Sequence, residues 1–299
     1  MADKPDITVA LPTYNRNKEL VDTIRDVLRQ SHKNLELVVI DQSLSHDATT
    51  TQFLNELSDS RFRYFKVGPP SLPAARNFAL SVSQAPLVLY LDDDVELHRD
   101  LVRFHVQTLA EKPDVSAVAG RVLQAGFPIK KEVLKFDEYG ISHGVFTASE
   151  AGFTNTFPGG NHTVRKDAAL AVGGYNTAYY GNALREESDL AMRMIKAGMK
   201  IYYEPRAELL HLAAERGGTR TKTYVDIYDT AMFYRNELFF TIRMVNRQYL
   251  VEALRRKYRA YCLNVRHLRA YRRRLLFFLG LIAAVWRQLF ARTIVSKEL

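Results

Sequence analysis

Over its first hundred residues the chain alternates short apolar runs with amphipathic stretches. Ile7 to Leu11 is a β-prone run stopped at Pro12, and Thr13-Tyr14-Asn15-Arg16-Asn17 is turn chemistry ahead of a helix whose Leu20, Ile24, Val27 and Leu28 share one face. Leu35 to Ile40 repeats the pattern, with a polar end at Asp41-Gln42-Ser43 and a helix predicted around Phe53 to Leu57. A third, more alternating strand spans Arg61 to Val67 and is broken by Gly68-Pro69-Pro70. Pro73 then opens a helix running to about Ser83, at a position where a missing N–H costs nothing. This βαβα order predicts a parallel sheet. The fourth run, Leu87 to Leu91, is apolar without alternation, as suits a strand covered on both faces, and it ends in Asp92-Asp93-Asp94.

Farther along, the pattern predicts a helix over Leu97 to Ala110 and a short strand over Val115 to Val118. Residues 121–157 keep no period, which predicts irregular loops and short strands able to fold over a substrate. Asn161 to Arg165 reads as a polar strand and Lys166 to Val172 as a short helix. Glu186-Glu187-Ser188-Asp189 opens a helix with Leu190, Met194 and Ile195 apolar and Gly198 as its stop. Lys200 to Glu204 predicts a strand that Pro205 ends, and Leu209-Leu210 a short apolar approach to His211. From about Arg216 the chain predicts helix throughout, with Leu250, Leu254, Tyr258, Tyr261, Val265, Leu268 and Leu275 forming an apolar stripe between arginines. Leu275 to Trp286 is apolar for 12 residues, short of the roughly 20 needed to cross a bilayer, and suits the membrane interface.

Composition sharpens this in two places. The single cysteine, Cys262, excludes an intramolecular disulfide framework, and MADKPDITVALP lacks the apolar segment of a secretory signal, so a cytoplasmic setting is expected. Charge is divided: residues 216–299 hold 18 Lys and Arg against 5 Asp and Glu, a balance of +13 within a net +9, so the tail calls for an anionic partner.

The candidate chemistry lies at the strand ends. Thr13, Asp41 and Asp92 bring polar groups to one edge of the sheet, the carboxyl edge at which such sheets bind ligands. Three adjacent carboxylates repel one another and call for counter-charge; a divalent cation is the simplest source and also suits phosphate. Arg76, in the first turn of the intervening helix, adds a group that favours phosphate oxygens. Each feature has a bland alternative: a solvated acidic turn, a surface ion pair, acids complementing a helix dipole, and a structural histidine.

Taken in order, Val9-Ala10-Leu11-Pro12-Thr13-Tyr14-Asn15-Arg16, Val38-Val39-Ile40-Asp41, Ala75-Arg76-Asn77, Leu91-Asp92-Asp93-Asp94, Gly159-Gly160-Asn161 with Arg165, Gly173-Gly174-Tyr175 and Glu186-Glu187-Ser188-Asp189-Leu190 with Arg193 resemble the motifs of the family 2 glycosyltransferases, over roughly residues 6–212. The resemblance implies an α/β protein of GT-A fold, with a mostly parallel central sheet flanked by helices and a C-terminal helical extension. It implies a catalytic domain over 1–215, with the nucleotide-sugar half about 1–120 and the acceptor half about 121–215, and a basic amphipathic region over 216–299. The implied reaction is inverting transfer of a hexosyl or deoxyhexosyl group from a nucleotide-diphosphate sugar, UDP- or dTDP-sugar favoured, to a hydroxyl of a glycan or lipid-linked glycan. The implied cofactor is Mg²⁺ or Mn²⁺ on Asp94, with Asp92 and His211 as further ligands. Donor contacts fall to Pro12, Thr13, Tyr14, Arg16, Asp41, Gln42, Arg76, Asp92 and Asp93, and acceptor contacts to Gly160, Asn161 and Asp189. Glu187 is the implied general base, with Glu186 the alternative. Two positions depart from the family's usual Asp: Gln42, whose amide can still accept from a pyrimidine N3–H, and Glu187 itself.

Two other classes fit less well. A sugar-nucleotide nucleotidyltransferase would need a basic glycine-rich triphosphate loop near the first strand, and Thr13-Tyr14-Asn15-Arg16 is not one. A catalytically dead membrane or RNA adaptor would not need acids at all three cleft positions. The tail's arginines lie beside an apolar stripe and not among exposed aromatics on a platform, which favours a membrane surface over nucleic acid. Peripheral attachment to the cytoplasmic face is therefore expected, with a homodimer through the C-terminal helices as the alternative.

Overall fold

A computed structural model describes residues 4–214, 216–218, 229–263 and 268–290. The strands are β1 (Ile7–Thr13), β2 (Leu35–Asp41), β3 (Phe62–Lys66), β4 (Leu87–Leu91), β5 (Val95–Leu97), β6 (Val115–Leu123), β7 (Lys135–Phe136), β8 (Ser142–His143), β9 (Gly152–Thr154), β10 (Asn161–Arg165) and β11 (Lys200–His211). The helices are α1 (Lys18–Leu28), α2 (Ala48–Glu56), α3 (Leu72–Val82), α4 (Leu101–Glu111), α5 (Lys166–Ala171), α6 (Glu186–Lys196), α7 (Ala231–Met244), α8 (Arg247–Tyr258) and α9 (Leu268–Phe290).

Nine strands form one sheet in the order β3-β2-β1-β4-β10-β6-β11-β5, with β9 added on β11. The β3-β2-β1-β4 half is parallel, as the βαβα pattern requires. Beyond β4 the sheet is mixed, because β10 enters antiparallel between β4 and β6. Every residue of β1, β2 and β4 is buried, which is the physical reason these runs lose alternation. Successive side chains feed opposite cores. Ile7, Val9 and Leu11 pack with Leu37, Leu89 and Leu20 on one face, while Ala10, Val38, Val88 and Tyr90 pack with Ala79 and Leu190 on the other. Ser71 caps α3 by accepting from the Ala74 N–H, with Pro73 in the first turn as expected.

Two elements differ from their predicted form. The helix predicted from Leu97 begins only at Leu101, because Leu97 ends the strand Val95–Leu97, which pairs antiparallel with Leu209–His211. Pro205 does not end its strand, because β11 runs on to His211 with a register shift against β6 between Glu204 and Glu208. Such an irregularity accommodates a residue with no N–H to donate. Both differences serve one outcome, since the pairing of His211 with Val95 sets the histidine beside Asp94.

The C-terminal helices build on the body through a third core, in which Phe136 and Tyr179 meet Phe233, Leu238, Phe239 and Phe240 of α7. Of the predicted stripe, Leu254, Tyr258 and Tyr261 pack against this core and Leu275 does not. A π-helical turn at Arg259–Leu263 interrupts α8, and α9 buries Ala270, Phe277 and Ala284 while Leu275 stays 60% exposed. The helix predicted over 219–228, 264–267 and 291–299, Val265 included, lies outside the described residues. Among the described residues, no helix is long and apolar enough to cross a membrane.

Candidate active site

The β4 run ends in three carboxylates with three different surroundings. Asp93 is buried and accepts from Thr13 Oγ1 at 2.6 Å and Arg16 Nε at 3.2 Å. Burial raises its carboxyl to about 7 against the pull of Arg16 and Thr13. Asp94 is also buried: Oδ2 accepts from Arg16 Nη2 at 3.0 Å and the Ala214 N–H at 2.9 Å, while Oδ1 lies 3.4 Å from His211 Nε2. Burial works to raise this carboxyl too, but His211, Arg16 and the Ala214 N–H outweigh it and hold it below the usual range. Asp92 is the most open of the three, with Oδ2 3.7 Å from His211 Nε2. Arg16 thus supplies part of the counter-charge that the triplet needs.

One ligand atom each from Asp92, Asp94 and His211 lies within 4.8 Å of the others. Two carboxylates and an imidazole are a donor set that fits a divalent cation of the magnesium or manganese kind. Gln124 Oε1 stands 3.2 Å from His211 Nδ1 and orients the ring from behind. Sequence reasoning missed Gln124, which sits in the stretch without periodicity.

Asp92 and His211 line a cavity of about 280 Å³ that Glu187 lines as well. Gly159 and Gly160 form part of its wall, and Val122, Phe146 and Leu209 contribute apolar lining. A Cβ at position 160 would collide with the Asp92 carboxylate, so any side chain there would have to displace it. Glu187 stands at the start of α6, where its Oε1 accepts from Ser188 Oγ at 2.9 Å. Its neighbour Glu186 is 1% exposed and ion-paired with Arg76, itself 2% exposed. Arg76 also donates from Nη2 to the Gly159 carbonyl at 2.8 Å. The guanidinium predicted to face a donor phosphate is therefore enclosed beneath the Gly159-Gly160 turn.

Several other predicted contacts sit close to the cleft but spend their polar atoms elsewhere. Asn161 is fully buried: its Nδ2 donates to the carbonyls of Arg121 and Ala207, each at 2.9 Å, and its Oδ1 pairs with His105 Nε2 at 2.9 Å. It knits β10 to its neighbours instead of facing an acceptor. Asp189, also fully buried, accepts from Arg193 Nε at 2.7 Å, Arg243 Nε at 3.0 Å and Tyr179 Oη at 3.1 Å. Gln42 clamps the turn before α3, donating to the Pro69 carbonyl at 3.1 Å and accepting from the Ser71 N–H at 3.0 Å. Asp41 accepts from Lys66 Nζ and the Ser43 N–H, each at 2.8 Å, and from Tyr64, with His46 Nε2 at 2.8 Å. Burial acts against its ionisation, but the Lys66, Ser43 and Tyr64 hydrogen bonds keep its carboxyl far below the ordinary range. Pro12 and Thr13 end β1 beside it, and the Tyr14 carbonyl accepts from the Gly218 N–H at 2.7 Å, so the segment after β11 returns over the first strand's turn.

A larger cavity of about 720 Å³ opens at the other end of the strands, by Lys4, Pro86, Arg165 and Lys166. Arg165 and Lys166 are committed to the backbone carbonyls of Val115, Leu109 and Ser83, and the lining gathers no reactive set.

The family model described as "Glycosyl transferase family 2" matches residues 8–170. A curated relative, the GalNAc(5)-diNAcBac-PP-undecaprenol beta-1,3-glucosyltransferase of Campylobacter jejuni, is 26% identical over 251 residues, covering 78% of this chain and 75% of the relative. The chain spans 17% of the length of two other curated relatives, each matched over 105 residues at 29% identity. Among solved structures, GalNAc-T7 with UDP, GalNAc and Mn²⁺ superposes with a TM-score of 0.65 at 14% identity, covering 96% of this chain and 58% of that one. The Pyrobaculum calidifontis mannosyltransferase PcManGT with GDP-Man and Mn²⁺ gives 0.58 at 18% identity, covering 97% and 88%. At such identities these likenesses speak for the fold, which is GT-A.

Proposed function

The chain belongs to glycosyl transferase family 2, and we propose that it moves a sugar from a nucleotide-diphosphate donor to a hydroxyl of a glycan or lipid-linked glycan by direct displacement with inversion. The observation that carries this reading is that Glu187 lines the same cavity as Asp92 and His211, two of the three groups of the candidate cation site. Residues 1–215 act as the catalytic domain in this reading, and 216–299 as a helical region built onto it. Asp92, Asp94 and His211 would hold Mg²⁺ or Mn²⁺, which when bound would supply Lewis-acid neutralisation of the charge that develops on the leaving diphosphate. Arg16 keeps Asp93 and Asp94 in place from below. Glu187 takes the proton of the acceptor hydroxyl as its oxygen attacks the anomeric carbon. The bond from that carbon to the diphosphate oxygen breaks on the opposite face, its electron pair leaving with the phosphate, so the configuration inverts.

A pyrimidine nucleotide is the donor class we favour, as in UDP-bound GalNAc-T7. A lipid-linked acceptor is favoured by the diphosphate-undecaprenol wording of the Campylobacter relative. It is favoured too by an exposed apolar face on α9, running from Tyr271 through Leu275 and Ile282 to Leu289, which suits peripheral attachment to a membrane. A panel of UDP-, dTDP- and GDP-sugars with Mn²⁺, read by thermal shift and by product, tests the reading. Release of nucleoside diphosphate from one donor class supports it. Release of pyrophosphate from a sugar phosphate and a nucleoside triphosphate would establish a nucleotidyltransferase instead.

A further inference from the structure

The turn that carries Glu187 is held from both sides by one helix of the C-terminal extension. Arg185, two residues before Glu187, donates from Nε to Glu237 Oε2 at 2.6 Å. Asp189, two residues after it, accepts from Arg243 Nε at 3.0 Å. Glu237 and Arg243 both belong to α7. Between the two pairs, Glu186 is fixed to Arg76, so the residues around Glu187 are anchored and Glu187 faces the cavity.

The anchoring exceeds what a surface helix needs. Arg185 has φ +74°, a left-handed conformation that non-glycine residues seldom adopt and that persists only when the surroundings impose it. Glu237 imposes it together with Phe136 and Phe240, whose ring centroids lie 4.9 and 5.6 Å from the guanidinium carbon. Glu237 is fully buried and also pairs with Lys257 of α8, which donates to the Gly140 carbonyl at 2.9 Å. Burial would raise the Glu237 carboxyl, but Arg185 and Lys257 hold it down to about 2, so the pair stays charged. The segment entering α6 is tied to the same helix, with Asn236 Nδ2 donating to Asn182 Oδ1 at 2.9 Å.

We infer that α7 is a positioning element for the general base, with Glu237 and Arg243 fixing the first turn of α6 so that the Glu187 carboxylate points into the cavity. This rests on the reading of Glu187 as the base. A carboxylate displaced by about 1 Å loses much of its effectiveness in proton transfer, so a loosened turn lowers kcat while leaving the donor side intact. Neither residue touches the cavity, and both act through α6.

Arg243→Gln is the primary test, because Asp189 keeps Arg193 and no buried charge is left alone. Nucleoside diphosphate release is followed from the panel of UDP-, dTDP- and GDP-sugars with Mn²⁺. The expected result is a kcat lower by at least about tenfold with the donor KM within about twofold, and recovery of most of the loss in Arg243→Lys. In a Glu187→Gln background, adding Arg243→Gln costs no further kcat, because positioning acts only through the base. Glu237→Gln tests the other arm, and if it does not fold the Arg243 arm decides alone. Arg256→Gln, on the exposed face of α8 and paired with Glu252, keeps the wild-type kcat. An unchanged kcat in Arg243→Gln, or an equal loss with and without Glu187, overturns the positioning role. Full activity of Glu187→Gln overturns instead the base assignment beneath it, so the two failures are distinct.

Discussion

Glu186 and Glu187 are adjacent in the chain and opposite in circumstance: one carboxylate is sealed against Arg76, the other lines the cavity that contains Asp92 and His211. The contrast assigns them separable roles. Glu187→Gln keeps shape and removes basicity, and a fall in kcat of at least about a hundredfold with unchanged melting temperature and donor-induced thermal shift is expected. Glu186→Gln leaves the buried Arg76 without its counter-charge, at a cost of about 3–5 kcal/mol in stability by chemical denaturation. If Glu186→Gln is the stable, inactive variant and Glu187→Gln is active, the roles are exchanged.

Asp94 and His211 carry the second prediction. Asp94→Asn retains size but weakens both the cation site and the pairing with Arg16. Mn²⁺ titration followed by electron paramagnetic resonance should show stoichiometric binding to wild type and strongly weakened binding to Asp94→Asn and His211→Ala. Nucleotide release should cease in excess chelator and return with added Mn²⁺. Full turnover in chelator would remove the metal from the mechanism.

Gly160 sits so close to Asp92 that its missing side chain is part of the site. Gly160→Ala should push the Asp92 carboxylate aside and weaken Mn²⁺ binding by about ten- to a hundredfold, the scale found when a ligand's support is disturbed. The same titration reads it without reference to turnover. Unaltered affinity would show that Asp92 moves without consequence or does not bind the cation.

The strand ends were legible because β1, β2 and β4 are buried on both faces, which writes unbroken apolar runs into the sequence and marks where polar residues begin. The direction in which motif residues face was not legible. Gly160 and Asn161 are adjacent, yet one belongs to a turn on the cavity wall and the other opens β10 and bonds His105 inside the sheet. Nor could the chain announce its buried charges. Nothing in the order of residues joins Lys257 and Arg185 to Glu237, or Arg243 to Asp189; the fold does. Pro205 misled for a related reason: a proline ends a strand by default, and only pairing with β5 and β6 shows that this one does not.

His105 supplies a prediction about pH. Burial drives its imidazole pKa down to about 4, against a hydrogen bond with Asn161 that acts the other way. In the unfolded chain the ring takes up its proton near pH 6.5. The unfolded state therefore binds more protons as the pH falls from about 6.5, and stability drops until the folded pKa near 4 is reached. The slope from this one group is at most about 1.4 kcal/mol per pH unit. His105→Gln keeps an amide for Asn161 and cannot titrate, so the stability difference between pH 7 and pH 5 should shrink by up to about 2 kcal/mol relative to wild type. An identical pH dependence in the two proteins would mean that His105 takes up its proton in the fold at the same pH as in the unfolded chain.

The membrane reading turns on α9. Its inner face packs on α7, where a Cβ at Gly280 would meet the Tyr234 Cβ at 2.6 Å, so this helix cannot turn over to bury its outer face. At about 100° per residue, Leu275, Phe278, Leu279, Ile282, Val285, Trp286 and Leu289 form one arc, flanked by Arg272 on one side and Arg274 on the other. All seven apolar residues of that arc are at least 44% exposed. No Asp or Glu occurs on α9, so a second copy docked face to face would bring arginines together without counter-charge from this helix, whereas anionic headgroups complement them. Each arginine near such a surface contributes about 1 kcal/mol. Truncation after Ala214 is a poor test, because it would strip α7 from the core around Phe136 and Tyr179. The full chain carrying Leu275→Ser, Ile282→Ser and Trp286→Ser keeps that core. Wild type should co-sediment with phosphatidylglycerol vesicles, less so as salt rises, and weakly with phosphatidylcholine. The triple variant should stay in the supernatant with its nucleotide release unchanged. If vesicle binding is the same in both, and the substitutions instead convert a dimer to a monomer on gel filtration, α9 is a subunit interface and the membrane contact must be sought elsewhere.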